Sequence, residues 1–373
     1  MSERKASILV TGGAGYIGSH TVLALLDAGY VVVVLDDLTN GERWSVDRRA
    51  TFFEGRIENQ SLVRAIMPLH NVKAVIHFAG AIPGQESSAD PLRFYRNNTS
   101  ASQSLIESAI NCGIGHFVYA SSAEVYGDQQ NGPILEGGEL RPSSAYARSK
   151  LMTETILADI ARAHSINFCT LRFFNVAGTD PAWRCGGSKV GVPHLIRQAL
   201  EAVMGCRAQV VIHGTDFDTP DGTAIRDYVH VNDVALAHVA ALKAIMASPG
   251  CNMQLNCGYG SGHSALEILA AVERITNVRI ARGVAPRRAD SPAVLVTDCN
   301  AIREALDWKP LYSDIEQIVR SAYHWEAQMI QQRASNFGSD ALLIGTTGAP
   351  GQEVWNLATT GNANKQRDSR SDR

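Results

Sequence analysis

The stretch Ser7-Ile8-Leu9-Val10-Thr11-Gly12-Gly13-Ala14-Gly15-Tyr16-Ile17-Gly18 decides the fold, together with Val31-Val32-Val33-Val34-Leu35-Asp36-Asp37 downstream. A short apolar run enters a glycine turn, a helix-like segment follows, and a second apolar run ends at two acids. Strand, glycine turn, helix, strand, acid is the form of a dinucleotide-binding βαβ unit. Gly12 allows the tight turn off the strand, Gly15 lets the backbone approach a pyrophosphate, and Gly18 lets the helix pack closely on the sheet. The helix start offers unpaired N–H groups and the positive end of its dipole to phosphates. Asp36 stands where a carboxylate accepts hydrogen bonds from ribose hydroxyls, and Asp37 adds a second acid. No arginine follows within the next few residues, so a 2′-phosphate would be repelled and NAD is expected rather than NADP.

Composition narrows the class. The chain has 373 residues, room for one large or two medium domains, and 45% of them are hydrophobic, enough to fill a sizeable core. A net charge of −3 offers no basic surface for nucleic acid or an anionic membrane. Apolar stretches are broken by charges and glycines well short of a membrane span. Met1-Ser2-Glu3-Arg4-Lys5 runs straight into the first strand, so no secretory signal is expected. The seven cysteines are scattered and lack C-x-x-C spacing, which favours free thiols and a cytoplasmic setting. No histidine or carboxylate spacing suggests a metal.

Strand-like runs at Thr51–Phe53, Ala74–Phe78, His116–Ser121 and Phe168–Phe173 alternate with helix-like segments such as Pro91–Asn111 and Ala145–His164. That alternation predicts an α/β fold, a Rossmann-type doubly wound parallel sheet. After Asn175 the pattern loosens, with a loop-like stretch from Thr179 to Val192 and short segments over Val210–His230 and Leu255–Trp308. The expected division is a cofactor domain of residues 1–178 plus 226–247, and a smaller C-terminal substrate-binding lobe of 179–225 plus 248–333. Residues 334–373 are rich in Gly, Ser, Thr, Asn and Ala and read as a tail that cannot bury enough apolar surface to order itself.

A second constellation carries chemistry. In Tyr146-Ala147-Arg148-Ser149-Lys150, the tyrosine and lysine share one helix face, and Ser121-Ser122 precedes them at a strand end. An unperturbed phenol, with a pKa of about 10, is a poor base at neutral pH. A nearby ammonium and a cationic nicotinamide favour the phenolate. Ser122 can bond the same substrate oxygen. Tyr, Lys and Ser beside a nicotinamide form a device that takes a proton from an alcohol while hydride leaves its carbon. On its own, Y-x-x-x-K is frequent in ordinary helices; its place after a dinucleotide unit gives it meaning.

Further blocks join these: Thr11 to His20, His77-Phe78-Ala79-Gly80, Asn97-Asn98, Ser121-Ser122-Ala123 with Val125-Tyr126-Gly127, and Tyr146 to Met152. Leu171-Arg172-Phe173-Phe174-Asn175, Asp221-Gly222-Thr223, Arg226 to Val231 and Pro286-Arg287-Arg288 complete the set. On them the chain, from about residue 7 to 328, resembles the extended short-chain dehydrogenase/reductase family, and within it the UDP-glucose 4-epimerases. The resemblance implies an NAD-dependent isomerase acting on UDP-sugars through a transient 4-keto sugar, with Tyr146, Lys150 and Ser122 catalytic. It implies a cofactor site made by Gly12, Gly15, Tyr16, Ile17 and Gly18, then by Asp36, Asn40 and Ile57, then by Phe78, Ala79, Gly80 and Asn98, with Tyr146, Lys150 and Phe173 at the nicotinamide. For the UDP-sugar it implies Ser122 and Tyr146 with Asn175, His194, Leu195, His213, Arg226, Arg287, Arg288 and Asp290. It also implies a homodimer made through the helices Ser100–Ile114 and Leu151–Ala163.

Several positions depart from the family pattern. Arg56 replaces an acid near the adenine, Ile82 replaces a lysine, and His213 replaces an aromatic residue beside the uracil. One residue is missing between Arg288 and Asp290, which leaves open which arginine takes the phosphate. Val294 falls where a tyrosine restricts the hexose pocket, which predicts room for a 2-acetamido group. Glu124 follows Ala123 where nucleotide-sugar dehydratases carry an Asp–Glu pair, so dehydration on the same scaffold is the alternative. A non-catalytic NAD-binding protein is the distant one, since it has no need of Tyr146, Lys150 and Ser122 together.

Overall fold

A computed structural model describes residues 6–83, 90–128, 132–187, 194–288 and 291–336. The tail assigned to 334–373 lies outside them from residue 337 onward. The opening motif forms β1 (Ser7–Thr11), α1 (Tyr16–Asp27) and β2 (Val31–Asp36). The chain continues through β3 (Thr51–Glu54), α2 (Gln60–Leu69), β4 (Val72–His77), α3 (Pro91–Phe94), α4 (Ala101–Asn111), β5 (His116–Ser122), α5 (Ala145–Ala163) and β6 (Asn167–Phe173). After β7 (Asn175–Ala177) come α6 (Leu195–Val203), β8 (Val210–His213), β9 (Ile225–His230), α7 (Val231–Ala247) and β10 (Asn252–Cys257). The last elements are β11 (Gly262–Ser264), α8 (Ala265–Thr276), β12 (Arg282–Ala285), β13 (Val294–Leu295), α9 (Asn300–Leu306) and α10 (Ile315–Asn336).

Seven strands form one parallel sheet in the order β10-β6-β5-β4-β1-β2-β3. Strand alternation sends successive side chains to opposite faces. Ile8, Val10, Val32 and Val34 pack with Val22 and Leu25 of α1 and Val234 of α7. Leu9, Val33 and Leu35 pack with Ile66 of α2, Leu105 of α4 and Leu157 of α5. The two helical layers explain why these strands read as unbroken apolar runs. The order in which strands are added reverses between β1 and β4, and the crevice at that switch point is where such sheets bind ligands.

The expected single helix from Pro91 to Asn111 is interrupted by a π-helical turn, Tyr95–Ser100, a feature found mostly at functional sites. Beside the large sheet, β9 pairs with β7 and β13 in parallel and with β11 antiparallel, and β8 pairs with β12. Strand β10 falls in the segment expected to belong to the smaller lobe, yet it pairs with β6 at the edge of the large sheet. The short run Asn252–Cys257 carries nothing in its own sequence to tell the two sheets apart; its partner does.

Candidate active site

The glycine turn is built for close approach. Gly12 has φ of +72°, and a Cβ there would meet Ala79 N at 2.5 Å. A Cβ on Gly18 would collide with the Gly12 carbonyl oxygen. Asp36 pins the turn: its carboxylate accepts the Ala14 N–H and the Leu38 N–H, each at 2.9 Å. Below lies a polar chain in which His77 bridges Thr11 Oγ1 (2.7 Å) and Ser102 Oγ (2.8 Å). Burial, helped by the Lys150 charge, lowers the His77 pKa to about 3, so this ring is neutral.

Over the turn opens a cavity of about 1010 Å³, large enough for a dinucleotide. Gly12, Gly15, Tyr16, Ile17, Gly18, Asp36, Asn40, Ile57, Phe78, Ala79, Gly80, Tyr146, Lys150 and Phe173 all line it. Asn98 does not. Its amide is spent on the neighbouring loop: Oδ1 accepts the Ala81 N–H (2.6 Å), and Nδ2 donates to Ala81 O and Ser149 Oγ (3.0 Å each). Asn98 holds the wall at Gly80, where an added Cβ would stand 2.7 Å from its oxygen. The cavity, the glycine cradle and the Asp36 carboxylate fit NAD. No arginine follows the acids closely in sequence, but the fold brings one near them from the end of β3. Arg56 lies 3.9 Å from Asp37, and it also pairs with Glu58 and donates to Asn97 Oδ1 at 3.1 Å.

At the opposite end of the cavity stand the residues of the second motif. Ser144 starts α5, its side chain accepting the Ala147 N–H at 3.0 Å, and so fixes the phase of the helix that carries Tyr146 and Lys150. Lys150 Nζ donates to Ala120 O at 3.0 Å and lies 5.9 Å from the centre of the Tyr146 ring. Ser122, at the end of β5, hydrogen-bonds the Tyr146 phenol. The expected lowering of the Tyr146 pKa is not present in the protein alone. Burial raises it first, the Glu124 charge raises it further, and only the Ser122 bond opposes. Burial also lowers Lys150 to about 8, while Glu154 one turn along works to keep it charged. Glu154 is held in turn by a buried pair with Arg172 at 2.6 Å.

The residues expected to hold the UDP-sugar are more scattered. Arg226 donates to Ser291 Oγ and Pro292 O, each at 2.8 Å, so its guanidinium is fixed by the segment leading into β13. Asp227 does not pair with it; this carboxylate faces the other way and accepts the N–H groups of Tyr259 (3.0 Å) and Gly260 (2.8 Å). Asn175 sits on β7 opposite Tyr228. His194 precedes α6, Leu195 begins it, and the His194 ring meets Tyr228 edge-on at 6.1 Å. Burial lowers the His194 pKa to about 4. His213 ends β8 beside a second cavity of about 330 Å³ that Arg287 lines. Arg287 stands 3.9 Å from Asp216, and Arg288 is exposed next to it. Asp290 lies outside the described residues.

Sequence motifs missed the wall contributed by α10. Trp325, Ala322 and Glu326 line the large cavity, and the Trp325 ring stacks on Trp44 at 6.2 Å. Trp325 also donates to Gly187 O at 2.9 Å. No periodic signal ties a residue near position 325 to a loop near 44; only packing does.

Residues 8–258 match the NAD dependent epimerase/dehydratase family. A UDP-glucose 4-epimerase of Azospirillum brasilense is 43% identical over 344 residues, 92% of this chain and 95% of its own. Among solved structures, the UDP-glucose 4-epimerase of Stenotrophomonas maltophila with bound NAD and formylated UDP-arabinopyranose superposes with a TM-score of 0.84 at 35% identity, covering 88% of this chain and 99% of its own. The UDP-Glc/GlcNAc 4-epimerase of Campylobacter jejuni superposes with a TM-score of 0.75 at 38% identity, covering 87% and 99%. The chain belongs to the NAD-dependent epimerase/dehydratase family, in its UDP-glucose 4-epimerase branch.

Proposed function

We propose that this protein interconverts the C4 epimers of a UDP-hexose, UDP-glucose and UDP-galactose, with NAD bound and unconsumed. The observation that carries this reading is the Ser122–Tyr146–Lys150 group at one end of a cavity whose other end is the glycine cradle. NAD, held by the glycine cradle and Asp36, would supply a hydride acceptor for C4 of the sugar and the donor for its return to the opposite face. Tyr146 accepts the proton of the 4-hydroxyl in the first half of the cycle and returns it in the second. Ser122, bonded to the same phenol, orients that exchange. Burial, with the Glu124 charge added, holds the Tyr146 proton on, so the positive charge of Lys150 has to offset them. Arg226, fixed by Ser291 and Pro292, presents its fork to the diphosphate, with Arg287 or Arg288 and Asp290 assisting. Asn175, His194, Leu195 and His213 complete the nucleotide side.

The test is direct: the purified protein converts UDP-galactose to UDP-glucose with no added cofactor and no net NADH absorbance. Net NADH formation, or loss of water from the sugar, replaces this reading. Dehydration lacks its second acid, because position 123 is a buried alanine. A wider substrate range is favoured by Val294, which pairs with Ile225 next to Arg226, and by the likeness to the Campylobacter jejuni enzyme. UDP-N-acetylglucosamine is therefore a second substrate, and Val294→Tyr should remove that activity alone. We further propose a homodimer through α4 and α5. Exposed Met152 (44%) on α5 and Leu92 (61%) on α3 support it, and sedimentation checks it. A cytoplasmic setting is supported by the seven free thiols.

A further inference from the structure

Three consecutive residues at the end of β5 each take one contact from α5. Lys150 Nζ donates to Ala120 O at 3.0 Å, Ser121 Oγ donates to the Glu154 carboxylate, and Ser122 hydrogen-bonds the Tyr146 phenol. Tyr146, Lys150 and Glu154 follow one another at four-residue steps, so one face of the helix carries all three. Tyr146, Lys150 and Ser122 form the catalytic group; Ser121 and Glu154 make the contact beside it.

Glu154 is clamped from the sheet. Strand register makes Ser121, Arg172 and Asn256 neighbours across β5, β6 and β10. Arg172 closes on Glu154 with Nη2 at 2.6 Å from Oε2 and Nε at 3.1 and 3.2 Å from the two oxygens. Its Nη1 donates to Tyr126 OH at 2.7 Å, and that hydroxyl donates to Asn256 Oδ1 at 2.8 Å. The Glu154 and Arg172 side chains are each 1% exposed. A buried ion pair is often no more stabilising than an apolar pair of equal volume, but a guanidinium fork and a carboxylate meet in a defined geometry. The pair therefore fixes where the carboxylate of α5 stands against the tip of β5.

Resting on the function proposed above, we infer that Glu154 is a positioning residue for the epimerisation: clamped by Arg172, its carboxylate ties α5 to β5 through Ser121, which sets Ser122 against the Tyr146 phenol and keeps a negative charge one turn from the Lys150 ammonium. Glu154 does not line the cavity, and no bond is made or broken at it. The titratable groups around Lys150 are His77 from β4, Tyr119 from β5, and Tyr146 and Glu154 from α5. Around Glu154 stand Ser121 and Tyr119 from β5 and Arg172 from β6.

The experiment compares the full-length wild type with Glu154→Gln, Glu154→Asp and Ser121→Ala, each with its bound cofactor. Turnover and KM for UDP-galactose are followed against pH, cofactor content is measured after release, and Lys150 is titrated by NMR of isotope-labelled lysine side chains. Glu154→Gln keeps the shape and an acceptor for Ser121 but removes the charge. Lys150, at about 8 in the wild type, should then titrate roughly one pH unit lower, and the alkaline limb of kcat should move down with it as the ammonium is lost sooner. Ser121→Ala keeps the charge and removes the tie. Its kcat should fall roughly tenfold, with KM, cofactor content and the Lys150 titration unchanged. Glu154→Asp should restore the Lys150 titration and leave kcat low, because the shorter side chain keeps the charge and draws back from Ser121. Wild-type kcat in Ser121→Ala, or an unmoved Lys150 titration in Glu154→Gln, overturns the inference. A lower melting temperature with kcat and its pH profile unchanged overturns it too, since that is a structural role alone. If Glu154→Gln does not fold, Ser121→Ala and Glu154→Asp decide it, and wild-type kcat in either counts against it. The Lys150 titration needs no turnover, so it decides the inference even if wild type fails to epimerise UDP-galactose, an outcome that would overturn the proposed function instead.

Discussion

The cofactor half and the sugar-nucleotide half of this molecule are built by different means. Around the cofactor cavity, the glycine turn, Asp36 and Phe78 to Gly80 come from strand ends of one parallel sheet, with α10 closing a further wall. At the proposed UDP-sugar site, Arg226, His213 and Arg287 come from β9, β8 and the turn after β12, in two small sheets. The first half is preorganised by hydrogen-bonded strands close in sequence. The second is assembled from segments that meet only after folding, and its arginines are fixed by local carbonyls or left near the surface. A site with a rigid cofactor wall and a more adjustable sugar wall suits chemistry in which the cofactor stays and the sugar turns over.

The sharpest way to break this contrast is Tyr146→Phe, which removes a proton acceptor and no wall. Turnover should fall by roughly 10²–10⁴ while NAD content and UDP-sugar binding stay near normal. Wild-type turnover in that variant would remove Tyr146 from the mechanism. Arg226→Ala probes the other half. Calorimetry should show UDP-sugars binding about a hundredfold more weakly, with cofactor content unchanged. Loss of cofactor as well would show that the two halves are not separate.

Acid should act on the cofactor half through His77. Its folded pKa, about 3, lies below the ordinary histidine value, so the unfolded chain binds more protons between those limits. Stability from this group is complete above about pH 6.5 and is lost progressively as pH falls below it. Denaturant titrations of His77→Asn against pH should lose up to about 1.4 kcal/mol per pH unit of that acid slope. An unchanged slope would mean that the ring is charged in the fold.

A smaller effect tests the aromatic link between the turn at Trp44 and α10. Trp44→Ala removes the stack on Trp325, and stopped-flow release of NAD should quicken about two- to tenfold, as expected for an aromatic pair of roughly 0.5–1.5 kcal/mol. The smallest change is expected from deleting residues 340–373, whose sequence has no periodic apolar face. Melting temperature and turnover should stay at wild-type values; a large fall in either would show that this segment docks.

Most of the cofactor half was legible because its signals are local. Gly12, Gly15 and Gly18, the apolar run ending at Asp36, and Tyr146 with Lys150 are spaced by turn and helix geometry alone. Asn98 shows the limit. Its motif marks the right place, but the sequence cannot say that both ends of its amide are taken by Ala81. Arg56 shows another, since position 56 reveals nothing of Asp37 until β2 and β3 lie side by side. On the sugar side, family resemblance named the residues, while their spacing carried no geometry that could have found them.

By itself, then, the sequence determined the βαβ unit, the acid that selects NAD, and the Tyr–Lys pair one turn apart, because each rests on contacts within a few residues. Tertiary structure decided that Ser122 reaches Tyr146 and that α10 walls the cavity with Trp325. Those outcomes depend on packing of elements tens to hundreds of residues apart, where burial and strand register, not spacing, set which side chains meet.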